Sequence, residues 1–254
     1  MERKVHAWRI EEREIERQES RRGRRHAYVS LVPGRTALIV VDMVPFFVEE
    51  NEYTYGIVPN ISLLAGTLRA RGGTVAWVLP GTTEPTPVAE EFFGVEQARV
   101  FARTGGEGPL RERVWHEFEI HDDDLLVEKT ATSAFFPGFS PLPGLLRDRG
   151  VDTVVITGTV TNVCSEASAR DAATLGYRVI FVADGNSARR DEDHNSTLYT
   201  IYRTYGDVRT TEDVVKLIDR PGGSAVGPGG SAVGPGGSAV GPGGSAVAPN
   251  TGAG

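Results

Sequence analysis

The chain is poor in cysteine: Cys164 is its only one among 254 residues. That scarcity excludes an internal disulfide and a thiolate-rich metal site. Long apolar runs are also missing. None approaches the ~20 residues that a membrane-spanning helix needs. Met1 is not followed by the apolar segment of a signal peptide, so the expected location is the cytoplasm. The formal net charge of −7 gives no general attraction for nucleic acid or an anionic membrane surface.

From Pro221 onward the chain reads PGGSAVG three times, then PGGSAVA and PNTGAG. This stretch has no charge and no aromatic residue, and its valines stand alone. It has too little apolar surface to offset its ordering entropy, so residues 221–254 are expected to be a disordered tail. Glycine does not recur strictly at every third position, which excludes collagen. At the other end, residues 1–27 alternate basic and acidic side chains with a thin apolar stripe of Val5, Trp8 and Ile15. Helix formers dominate, so a charged helical arm is expected, gripping a neighbouring subunit, contacting nucleic acid or solvated with internal ion pairs, and the offsetting acidic residues make nucleic acid the least favoured. Residues 28–220 remain, a size suited to one α/β domain.

Within that domain apolar strands alternate with amphipathic helices. Strands are expected at 37–41, 74–79, 125–127, 153–156, 178–182 and 208–210. Helices are expected at 60–71, over much of 86–119, before Arg149, from Cys164 to Gly176, and at 191–205 and 212–218. Continuous apolar strands between helices imply a parallel sheet covered on both faces. Right-handed crossovers favour a doubly wound, six-stranded sheet of order 3-2-1-4-5-6. Strands one and four then flank the switch point, where ligands bind beyond the carboxyl ends.

Three reactive side chains converge on that edge. Asp42 ends strand one, Lys129 ends strand three, and Cys164 opens the helix after strand four. A thiol in the first turn of a helix is expected to be stabilised as thiolate by the unsatisfied N–H groups and the helix dipole. Asp42 can accept its proton if apolar neighbours raise the carboxyl pKa, and Lys129 favours both anions. Backbone N–H groups near Val160 and Cys164 can stabilise an oxyanion. Each residue has a structural alternative: an N-cap or metal ligand for Asp42, a surface charge for Lys129, packing for Cys164. Their convergence favours the joint reading.

The segments ALIVVDM…F at 37–47, VEKTATSAFF at 127–136 and GTVTNVCSEASARDAATLGYRVIFVADG at 158–185 carry a further signal. Their sequence resembles the isochorismatase-like cysteine hydrolases, the superfamily of nicotinamidases and N-carbamoylsarcosine amidase, from about Thr36 to Ile218. The resemblance implies a triad of Asp42, Lys129 and Cys164, and a cis peptide before Val160 that turns the N–H groups of Val160 and Cys164 toward an oxyanion. It implies hydrolysis of a small amide, carbamoyl or lactam substrate through a thioester acyl-enzyme, with no cofactor. With the charged arm, it also implies a homo-oligomer.

Departures bear on the substrate. Where many relatives read D-x-Q-x-D-F, this chain has Asp42-Met43-Val44-Pro45-Phe46-Phe47, which implies a more apolar pocket. The Asp-x-His metal motif of nicotinamidases is replaced by Leu79-Pro80-Gly81-Thr82-Thr83-Glu84, which argues against a metal and against nicotinamide. A nucleophilic cysteine argues against the vinyl-ether chemistry of true isochorismatases. Phe47, Phe135 and Phe136 are the expected substrate-facing aromatics. The alternatives are a vinyl-ether or metal-assisted hydrolase on the same fold, or a non-catalytic oligomeric binding module. The acidic runs at 121–124 and 191–194 read as solvated faces or helix caps.

Overall fold

Two alternating apolar sets on the central strands determine the architecture. In β1 (Thr36–Val41), Leu38 and Val40 face one side of the sheet while Ala37, Ile39 and Val41 face the other, and all are buried. Such two-sided burial requires helices on both faces. The computed structural model, which describes residues 1–220, has that arrangement. The strands β1, β2 (Thr74–Pro80), β3 (Leu125–Lys129), β4 (Thr153–Thr159), β5 (Arg178–Ser187) and β6 (Asp207–Arg209) form one all-parallel sheet. Their order is β3-β2-β1-β4-β5-β6, as the sequence implied.

The helices in chain order are α1 (Glu12–Arg22), α2 (Pro45–Val48), α3 (Glu52–Gly56), α4 (Val58–Ala70), α5 (Pro87–Phe93), α6 (Val95–Phe101) and α7 (Leu110–Arg113). They continue with α8 (Leu142–Asp148), α9 (Glu166–Thr174), α10 (Asp191–Thr200) and α11 (Thr211–Asp219). One apolar layer joins Leu38, Val40 and Trp77 to Ile61, Leu64 and Leu68 of α4 and Val214 and Leu217 of α11. The second joins Ile39, Val41 and Phe181 to Leu142 and Leu146 of α8 and Ala169 and Ala172 of α9. Each fully buried large side chain contributes roughly 1.5–3 kcal/mol.

Three local differences from the expectations have physical causes. The 86–119 region holds only α5, α6 and the single turn α7, because Gly94, Gly106 and Gly108 adopt positive φ and interrupt it. Strand β5 runs on to Ser187 because, past an irregularity between Ile156 and Gly158, Asn186 and Ser187 resume pairing with Gly158 and Thr159. The N-terminal region is helical only at α1. The residues before it are non-helical and pack on their own domain: Lys4 N–H donates to the Glu52 carbonyl at 3.0 Å, and Arg9 N–H to Asn195 Oδ1 at 2.7 Å. The expected tail, 221–254, lies outside the described residues. Among the described residues no helix is long and apolar enough to cross a membrane.

Candidate active site

Asp42 leaves β1 in the left-handed region, at φ 54°. Its N–H donates to the Val78 carbonyl of β2 at 2.8 Å, and its carbonyl accepts from Val44 N–H at 2.9 Å. Left-handed backbone is uncommon outside glycine, with aspartate among the tolerant residues. This turn aims the buried carboxylate over the end of the sheet. Across the switch point, Gly158 of β4 pairs with Val41 at φ 118°, and a Cβ there would fall 2.1 Å from the Val41 carbonyl oxygen. Only glycine allows β4 to approach the Asp42 turn so closely.

Beyond Gly158 the Thr159–Val160 peptide is cis. A widened π turn, Thr161–Ser165, follows and carries Cys164 before α9 begins. Such turns occur frequently at functional sites. Val163 and Ser165 N–H groups both donate to the Val160 carbonyl, at 3.0 and 3.3 Å. The Val160 N–H has no acceptor among the described residues. From the far side, Lys129 ends β3, two strands from β1, and its stem crosses the width of β2. Its Nζ lies 3.0 Å from Asp42 Oδ2, 3.6 Å from Cys164 Sγ and 3.3 Å from the Ala131 carbonyl oxygen.

The structure therefore brings Asp42, Lys129 and Cys164 together around one ammonium group. Asp42 and Lys129 are buried, while Cys164 is partly exposed. The Asp42–Lys129 contact is a charge pair between two buried side chains. Burial raises the Asp42 pKa above its ordinary value, with Lys129 pulling against it. Burial penalises the Lys129 ammonium, but the charges of Asp42 and Cys164 outweigh this and raise its pKa. Burial also pushes the Cys164 thiol up, Asp42 adds to the rise, and Lys129 opposes it. Against the helix-turn N–H groups that favour a thiolate, desolvation and the adjacent carboxylate therefore favour the neutral thiol.

The three residues border a cavity of about 980 Å³. Phe46 and Phe47 line it, joined by Phe93 and Phe101 from α5 and α6. Two of the expected aromatics lie elsewhere. Phe135 is fully buried in the second core layer, edge-on to Tyr177, because the 130–139 turn directs it inward. Phe136 is half exposed against Phe139, and neither belongs to the cavity lining. The polar wall comes from residues that the sequence analysis did not single out, chiefly Asn51, Asn162 and Arg189. Arg189 is exposed and has no ion-pair partner among the described residues, although Asp193 also lines the cavity. The acidic runs serve structure: Asp124 accepts from Arg69 and from Trp77 Nε1 at 2.8 Å, and His194 Nδ1 lies 2.9 Å from Thr161 Oγ1. Among the described residues, no group of three or more histidine, cysteine, aspartate or glutamate side chains could hold a metal ion.

A doubly wound α/β sheet, with a cysteine, a lysine and an aspartate gathered at its switch point, defines the class. The family model of the Isochorismatase domain matches residues 36–213, and the chain belongs to the isochorismatase family. It is 32% identical over 192 residues to an uncharacterized isochorismatase family protein of Bacillus subtilis, covering 72% of this chain and 94% of that protein. A maleamate amidohydrolase of Pseudomonas putida is 37% identical over 193 residues, covering 74% of this chain and 89% of the relative. Among solved structures, a cysteine hydrolase from Pseudomonas syringae pv. phaseolicola superposes with a TM-score of 0.67 at 28% identity. That match covers 76% of this chain and 96% of the other.

Proposed function

We propose that the protein is a cysteine amidohydrolase that cleaves a small amide bearing a carboxylate, by way of a thioester acyl-enzyme. The observation that carries the reading is the Lys129 ammonium lying 3.0 Å from Asp42 and 3.6 Å from Cys164 at the cavity wall. Cys164 Sγ attacks the amide carbonyl carbon as its proton passes to the Asp42 carboxylate. Lys129 favours the ionised form of Asp42 beforehand and balances the anionic sulfur as it forms. The oxyanion meets the N–H groups of Val160 and Cys164. The C–N bond then breaks, Asp42 returns the proton to the departing amine, and the acyl group stays on sulfur. Water attacks the thioester, its proton going first to Asp42. The acid leaves and the thiol is restored.

The raised Cys164 pKa fits this sequence. Cys164 and Asp42 on either side of the Lys129 ammonium hold a proton donor and acceptor together until the carbonyl arrives. Arg189 supports the carboxylate part of the reading, since a guanidinium at the wall with no ion-pair partner among the described residues suits a substrate carboxylate. The 37% identical maleamate amidohydrolase supports the same class of substrate.

Turnover of maleamate and a panel of ω-amido acids, measured by ammonia release, tests the reading. Ammonia release from at least one acid amide, lost in Cys164→Ala, is the expected result. Equal turnover by Cys164→Ala would exclude covalent catalysis at that residue. Self-association belongs to the same proposal and is supported by Val88 and Phe92, 74% and 79% exposed beside the cavity-lining Phe93. Light scattering should give at least a dimer mass, and a monomer would remove that part.

A further inference from the structure

One buried titratable side chain has no part in the chemistry above. His6 lies in the N-terminal segment, 6% exposed, with its ring between two others. The Tyr53 ring stacks on one face at 4.0 Å between centroids and 5° between planes, and the His194 ring on the other at 4.3 Å and 8°. In the ring plane, His6 Nε2 accepts from Ala188 N–H at 3.0 Å, and Nδ1 meets Asp191 Oδ1 at 2.6 Å. The first contact requires an unprotonated Nε2, so the proton sits on Nδ1 and is donated to Asp191.

These contacts bracket Arg189. Ala188 and Asp191 flank Arg189-Arg190 in the three-residue link, 188–190, that joins β5 to α10. Ala188 is held from both sides, its N–H by His6 and its carbonyl by Asn51 Nδ2 at 3.1 Å. Asn51 and Arg189 both line the cavity. The segment carrying His6 is itself held tightly against α3, since a Cβ on Gly56 would fall 1.8 Å from the Lys4 carbonyl oxygen. Asn195 Nδ2 also donates to the Ala7 carbonyl, at 3.2 Å.

We propose that His6 is a positioning residue that fixes the 188–191 turn and so presents Arg189 to an anionic group in the cavity. The inference rests on the reading of Arg189 as the carboxylate-binding side chain. A loose Ala188–Asp191 turn would let a long, exposed guanidinium sample many rotamers, and each would face the cavity less often. His6 touches neither the three reactive groups nor the cavity; its hydrogen bonds reach the site through this turn, and its stack on His194, which contacts Thr161, is the one other route.

Because Cys164 is the sole cysteine, alkylation followed by intact mass reads this cavity without any knowledge of the substrate. The measurement is the ratio of the alkylation rates by iodoacetate and iodoacetamide, referenced to the same ratio for glutathione. The ratio cancels the thiolate fraction and isolates the preference for a carboxylate. Wild type should favour iodoacetate over the glutathione reference, and Arg189→Ala should lower the ratio about fivefold. His6→Phe keeps a stacking ring but loses both hydrogen bonds. It should lower the ratio by a similar factor, and so should Asp191→Ala, which alters only the side chain that holds the turn.

A purely structural role would lower Tm and shift both alkylation rates together, leaving the ratio at its wild-type value. That result in Asp191→Ala and in any folded His6→Phe, with Arg189→Ala still effective, would overturn the proposal for His6 alone. An unchanged ratio in Arg189→Ala would overturn it together with the carboxylate reading. Loss of turnover in Cys164→Ala tests the thiol chemistry independently of both.

Discussion

Lys129 Nζ and Asp42 Oδ2 form a buried charge pair at 3.0 Å that joins the ends of two strands which are not neighbours in the sheet. Removing one member of such a pair leaves the other uncompensated, at a cost of about 3–5 kcal/mol. Lys129→Met should therefore destabilise the fold by about that much at neutral pH. Its effect should shrink in acid. The folded Asp42 pKa already lies above its unfolded value, so the folded state binds the extra proton and stability falls as pH rises between the two. Without Lys129 the folded value rises further, which widens that window. Urea titrations of wild type and variant across the acid range check this. A pH-independent difference would show that Asp42 is not the group left uncompensated.

Cys164 should alkylate slowly in the free protein at neutral pH. Only the thiolate reacts, and burial together with Asp42 raises the thiol pKa, so the reactive fraction at pH 7 is smaller than in a free thiol. The iodoacetamide rate should keep climbing through pH 9, where glutathione begins to level off. Asp42→Asn should accelerate labelling at a fixed alkaline pH, because a charge that disfavours the thiolate is gone. A plateau below pH 8 would mean a resting thiolate and a different acid–base assignment.

Cys164→Ala should lower kcat by about four orders of magnitude or more, as the loss of a covalent nucleophile does. The substitution removes one small side chain, so Tm should move by no more than about 4 °C. Acid quenching of wild type during turnover should trap the acyl group on Cys164, visible as a mass increase that hydroxylamine removes. Full turnover by the alanine variant would assign the chemistry elsewhere.

Gly158→Ala should be the most damaging single-methyl change in the sheet. Its φ of 118° disfavours any side chain, and the new Cβ would meet the Val41 carbonyl oxygen at 2.1 Å. The expected loss is about 3 kcal/mol or more. For a domain of this size, that loss lowers Tm by roughly 6–12 °C. Differential scanning calorimetry checks this, with Gly23→Ala as a reference. Gly23 also has positive φ, but a Cβ there meets nothing within 4 Å, so its effect should be markedly smaller.

The order of the sheet was legible because β1, β2, residues 154–156 of β4 and residues 179–182 of β5 are continuous apolar runs, a pattern that a sheet buried on both faces requires. Asp42, Lys129 and Cys164 were legible for a related reason: each lies at or just past a strand's carboxyl end, and the strand order then dictates that they meet. The cavity walls were not. Phe135 and Phe136 are sequence neighbours, yet the first is core and the second half exposed, a choice made by a turn without a periodic pattern. His6 was hidden in a segment whose charge pattern suggested a helix, although its hydrogen-bond partners lie more than 180 residues away.

The sequence by itself determined the parallel sheet, its strand order and the strand ends that carry the three reactive groups, because hydrophobic period and chain connectivity are local properties. Only the tertiary structure decided the burial of Cys164 beside Asp42 and Lys129, the aromatic side of the cavity and the company of Arg189. Desolvation, cavity shape and long-range contact depend on what surrounds a residue in space, and neighbours along the chain do not specify it.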